Sequence, residues 1–95
     1  MIHAFVLIDA EPARIAELAG ELADLDGVAE VHSVAGETAD LVAVVRVRRH
    51  EDLAEVVTRG ISGRPGIIAT STMIAFQAYS RHDLEAMWDL GPSPS

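Results

Sequence analysis

The 95-residue chain contains no cysteine and no lysine, and aromatic residues make up only 4% of it. Without thiols there can be no disulfide, no thiol nucleophile and no zinc-thiolate centre. With so few rings the interior must be aliphatic, and the 49% of hydrophobic residues is mostly Val, Ile, Leu and Ala. Positive charge is also scarce. Seven Arg face 15 Asp and Glu, a formal charge of -8, so most of this surface would repel a phosphate backbone. No helix carries the basic stripe of a recognition helix, and autonomous nucleic-acid binding is not expected. No apolar run approaches the roughly 20 residues that span a bilayer. The opening "MIHAFVLIDA" lacks the basic leader and cleavage site of a signal peptide. A cytoplasmic protein with no membrane partner is expected.

What is present is an alternation of β-rich and helical stretches. "HAFVLIDA" reads as a first strand, and "EPARIAELAGELADL" places Ile15, Leu18, Leu22 and Leu25 on one helical face. Pro12 suits the first helical turn, where its missing N–H has no partner to lose. Gly27 stops that helix. "VAEVHSV", "LVAVVRVR" and "IIATSTMIAFQAY" read as three further strands, and "EDLAEVVTRGI" as a second helix with Leu53, Val56, Val57 and Ile61 on its stripe. The acidic pair after His50 suits a helix start.

The order is β-α-β-β-α-β, and a shift of 39 positions lays Val6 on Val45, Ile8 on Val47, Leu18 on Val57, Leu22 on Ile61 and Gly27 on Gly66. Two βαβ halves with right-handed crossovers give an α+β, ferredoxin-like antiparallel sheet with both helices on one face. The other face should then be polar, yet the third strand has Leu41, Ala43, Val45 and Val47 on one side and Val42 and Val44 on the other, and the first sets Phe5 and Leu7 against Val6 and Ile8, so both faces are apolar. An aliphatic face of that extent favours burial, at roughly 25 cal/mol per Å², so a face-to-face homodimer is expected. The domain is expected over 1–79. Residues 80–95 form a short C-terminal helix opened by Ser80, with Leu84, Met87 and Trp88 as its apolar edge, and a mobile "GPSPS" tail.

"LDGVAEVHSVAGETADLVAVVRV" together with "RPGIIATSTMIAF" resembles the effector-binding domain of the Lrp/AsnC (feast/famine) transcription regulators, over essentially the whole chain. That family has a Pro-Gly-Val turn into a strand, a Gly-x-x-Asp hairpin and a Thr-x-Thr in its last strand. Here the first turn is Asp26-Gly27-Val28, and the hairpin is one residue longer, Gly36-Glu37-Thr38-Ala39-Asp40. Met1 leads directly into the first strand, which resembles the stand-alone effector modules that lack a helix-turn-helix. The resemblance implies a dimeric α/β barrel that assembles further, for instance into octamers. It also implies amino acids bound near the hairpin between dimers, and co-assembly with full-length regulators of the family.

An amino acid needs acceptors for its ammonium and N–H or hydroxyl donors for its carboxylate. Gly36, which tolerates positive φ, and Glu37, Thr38, Ala39 and Asp40 offer both kinds of group, with Asp40 as the acceptor. The same residue types also suit a plain hairpin. On the last strand Thr70 and Thr72 share a face and Ser71 takes the other. The resemblance places all three by the ligand, although Thr is equally a good strand former. His3, His32, His50 and His82 have no metal-ligand spacing, so neither a metal nor a cofactor is expected. No catalytic triad, phosphate loop or carboxylate pair stands out, and the chain is not expected to be an enzyme. Two alternatives share the topology: a small dimeric α/β-barrel monooxygenase or haem-degrading enzyme, whose cavity would need more aromatics, and an ACT-like module, whose glycine turn is missing from "IDAEPAR".

Overall fold

The computed structural model describes residues 1–81. The expected C-terminal helix, with Trp88, lies outside them apart from Ser80 and Arg81. Four strands, β1 (Ile2–Ala10), β2 (Val28–Ser33), β3 (Leu41–Val47) and β4 (Ile67–Ala75), form one antiparallel sheet in the order β2-β3-β1-β4. Helix α1 (Ile15–Ala23) joins β1 to β2, and α2 (His50–Glu55) joins β3 to β4. This is the expected ferredoxin-like α+β arrangement.

Period-two alternation sets the core. Ala4, Val6, Ile8 and Ala10 of β1, and Leu41, Ala43, Val45 and Val47 of β3, are buried under Leu18 and Leu22 of α1, Leu53 of α2 and Ile61. The residues between them point away from the helices. Phe5 remains 39% exposed there, and Met73 of β4, its cross-strand partner, 51%.

The repeat read from the sequence has a conformational counterpart. Gly27 and Gly66 lead into β2 and β4 and have the only positive φ angles among the described residues, 91° and 96°. A Cβ on Gly27 would lie 2.9 Å from Val56 Cγ2, and one on Gly66 2.8 Å from Arg14 Cγ. Each half therefore turns its helix into its second strand where a side chain has neither the torsion nor the space.

Three elements differ from expectation. The first helix opens as a 3-10 turn over Pro12–Arg14, with Glu11 extended at ψ 130°, because the residue before a proline is held out of the helical region. The second helix widens into a π-helical turn over Val56–Ile61, closed by Ser62 N–H donating to Val57 O at 2.9 Å. Val56, Val57 and Thr58 are all β-branched, and Thr58 Oγ1 donates to Ala54 O at 2.6 Å, both of which disfavour a regular helical ladder. β4 stops at Ala75 instead of Tyr79. Ala75 pairs with His3, so only Ile2 of β1 lies beyond that pair, and Phe76 is fully exposed.

Candidate functional site

The turn between β2 and β3 closes against the end of β1 through Asp40. Its N–H donates to Ile8 O at 2.8 Å, its carbonyl accepts from Val34 N–H at 2.9 Å, and its carboxylate Oδ2 accepts from Ala10 N–H at 3.0 Å. One residue thus ties the hairpin to its own strand and to the central strand. Ala39 is buried beside it, while Glu37 and Thr38 are exposed. Gly36 departs from the expectation of positive φ. A Cβ there would meet only Ala39 O at 3.6 Å, an ordinary contact.

Sequence reading missed Asp9. It follows Ile8 on β1, and its carboxyl hydrogen-bonds that of Asp40. The hydrogen bond, partial removal from water and the Asp40 charge together raise the Asp9 pKa above its ordinary value. A carboxyl pair is therefore assembled here, where none stood out in the sequence. The two acids are 31 positions apart, and only strand pairing joins them.

The strand-four hydroxyls divide as alternation requires. Thr70 pairs with Ile8 and Thr72 with Val6, on the helix-facing side, whereas Ser71 pairs with Leu7 on the open side with Asp9. β1 separates the turn from β4 in the sheet order. Two strand spacings of about 4.8 Å put roughly 10 Å between them within one chain. The structure thus brings Asp40 and Asp9 together. It leaves Gly36, Glu37 and Thr38 apart from Thr70, Ser71 and Thr72.

Behind the site, an ion-pair cluster fixes the approach to β4. Arg14 Nη2 and Arg64 Nη1 both donate to the Glu21 carboxylate, at 3.0 and 2.9 Å. Arg14 Nε donates to Pro65 O at 3.3 Å, and Arg64 Nε to Gly60 O at 2.7 Å. Hydrogen bonding from Arg64, then from Arg14, holds the Glu21 pKa below its ordinary value. Among the described residues no group of three or more His, Asp or Glu is placed to hold a metal ion.

A βαββαβ sheet with a hydrogen-bonded, acid-bearing turn at one end and an aliphatic open face defines a small ferredoxin-like α+β domain. The family model for the Lrp/AsnC ligand binding domain matches residues 3–84, and the chain belongs to that family. TTHA0845 from Thermus thermophilus is similar at 48% identity and a TM-score of 0.79, over 85% of this chain and 100% of that one. The hypothetical protein PHS023 from Pyrococcus horikoshii is 33% identical, with a TM-score of 0.75, over 86% and 98%. The transcriptional regulator NMB0573 from Neisseria meningitidis, solved in complex with L-Met, shares the fold at 15% identity and a TM-score of 0.73; the match covers 83% of this chain and 52% of the regulator. No match is found among the curated proteins.

Proposed function

We propose that the chain is a non-enzymatic effector module that binds a free amino acid. Its site is completed where Gly36–Asp40 of one subunit meets Thr70, Ser71 and Thr72 of another. The anchored Asp40 carboxylate carries this reading. An acceptor fixed by Ala10 N–H at 3.0 Å is already oriented for an ammonium, with little side-chain freedom left to lose. Asp9 supplies a second acceptor beside it. The L-Met complex of the distant regulator supports an amino acid as the ligand class. The roughly 10 Å between turn and β4 within one chain supports a site shared between subunits.

The aliphatic open face forms the homodimer, and dimers assemble further, also with full-length regulators of the family. The module works in the cytoplasm and does not bind duplex DNA by itself, since a net charge of -8 opposes it. The functional domain ends at residue 79, and 80–95 form an appendage.

Thermal shift against the twenty standard amino acids tests the ligand reading. A ligand at a hundred times its dissociation constant stabilises by about 2.7 kcal/mol, so one of the twenty raises the melting temperature by several degrees. Asp40→Asn keeps an oxygen for Ala10 N–H but loses the charge. A charge-assisted contact is worth about 1.5 to 3 kcal/mol, so affinity falls roughly ten- to a hundredfold. Light scattering checks that the variant still assembles as wild type does. A panel without any shift, or an assembled Asp40→Asn that responds like wild type, makes the turn a connection only.

A further inference from the structure

The Asp9–Asp40 pair holds more than two acceptors. An ionised carboxylate has lone pairs and no hydrogen to donate, so two carboxyls that hydrogen-bond to each other hold a proton between them. Asp40 cannot turn away from that contact, because its N–H is bonded to Ile8 O at 2.8 Å and its Oδ2 to Ala10 N–H at 3.0 Å. Asp9 stands between Ile8 and Ala10 on β1, and its carboxyl meets that of Asp40. Both side chains are half-buried.

The neighbouring elements leave this proton to the two acids. On β4, Ala69 is opposite Asp9 and Ser71 lies diagonally on the same face, both uncharged. On β3, Leu41 pairs with Ile8. Glu11 and Glu37 are exposed, and Arg14 and Arg64 are engaged by Glu21 of α1. The hydrogen bond to Asp40, partial desolvation and then the Asp40 charge raise the Asp9 pKa above its ordinary value.

We propose that the effector site is proton-gated: in the free chain the proton shared by Asp9 and Asp40 closes it, and the ammonium of an amino acid enters by displacing that proton to solvent. The proposal rests on the reading of the Gly36–Asp40 turn as an amino-acid site and adds its regulation. The exchange balances in charge. The pair with its proton carries one negative charge, and so does the fully ionised pair with an ammonium, whose N–H donors replace the lost O–H. Affinity is then flat above the Asp9 midpoint and falls about tenfold per pH unit below it, the slope of one competing proton.

Carbon-13 nuclear magnetic resonance of the labelled full chain reads both carboxyls. In the free chain we expect the Asp9 carboxyl to titrate above the ordinary carboxylate range, and its midpoint to fall in Asp40→Asn, which removes the neighbouring charge. An unlabelled mixture of the twenty standard amino acids lowers the Asp9 midpoint in wild type, and its apparent affinity follows the tenfold slope. Asp9→Asn, whose amide donates to Asp40 at every pH, binds weakly and without that slope. An Asp9 that titrates as an ordinary carboxyl in the free chain overturns the proposal before any amino acid is added. So does a mixture that shifts the amides of the turn while the Asp9 midpoint stays put, or an Asp9→Asn chain that keeps the wild-type slope; both leave the amino-acid reading standing. A raised Asp9 midpoint with no response to the mixture, in carboxyls or in turn amides, removes the amino-acid reading and the gating with it.

Discussion

Gly27 and Gly66 are where one missing Cβ matters most. Both have positive φ, and a methyl group on Gly27 would press into Val56 and Val47, at 2.9 and 3.0 Å. Gly27→Ala is expected to cost about 2 to 3 kcal/mol in urea unfolding, combining torsional strain with displaced packing. Gly66→Ala costs somewhat less, because the obstruction is the long Arg14 side chain. Gly36→Ala stays within about 0.5 kcal/mol of wild type, as expected for an open position. Asp9 supplies a second test at this scale. Its pKa is raised in the folded chain, so its contribution to stability is full below the ordinary carboxylate range and is lost as pH rises through the folded value. Asp9→Asn keeps a donor for Asp40 and removes that loss. It is therefore more stable than wild type at neutral pH, and the difference vanishes under acid conditions. A stability profile parallel to wild type across that range contradicts the pairing.

The elements were legible in the sequence wherever a period carried the signal. Spacing put Leu22 on the buried stripe of α1 and set Val6 and Ile8 on one side of β1, while which apolar side of β1 and β3 meets the helices came only with packing, where Val6, Ile8, Val45 and Leu22 are fully buried. Element ends were less legible, because they depend on partners. β4 stops within one residue of the start of β1, and the second helix changes its winding at Val56–Ile61, where the residues are β-branched and Thr58 bonds back to Ala54. The Asp9–Asp40 pair and the Arg14–Glu21–Arg64 cluster were not legible at all. Their members lie far apart in the chain, 43 positions between Glu21 and Arg64, and meet only after folding. The Arg14–Glu21–Arg64 cluster joins α1 to the segment leading into β4, and its pH dependence runs opposite to that of Asp9. With its pKa lowered, Glu21 adds stability above the ordinary glutamate value, and that stability is lost as pH falls through the folded value. At neutral pH, Glu21→Gln is expected to be modestly less stable than wild type in urea unfolding, modestly because the carboxylate is solvent-screened. The gap to wild type closes in acid, and a constant gap across pH sinks the electrostatic account.

At the scale of the whole molecule, one face of the sheet is sealed by helices and the other is aliphatic and open. The proposed homodimer is one answer to that asymmetry. The proposed effector site lies at the sheet's end, where Asp40 is held by Ile8 and Ala10. Nuclear magnetic resonance of the isotope-labelled full chain, titrated with the amino acid that raises its melting temperature, tests this central claim most directly. The account predicts that the amide signals of Gly36–Asp40, Ala10 and Thr70–Thr72 shift together and saturate with one dissociation constant. Shifts confined instead to the groove beside α2, lined by Asp26, Arg48, Asp52 and Glu55, with the turn unmoved, would contradict it.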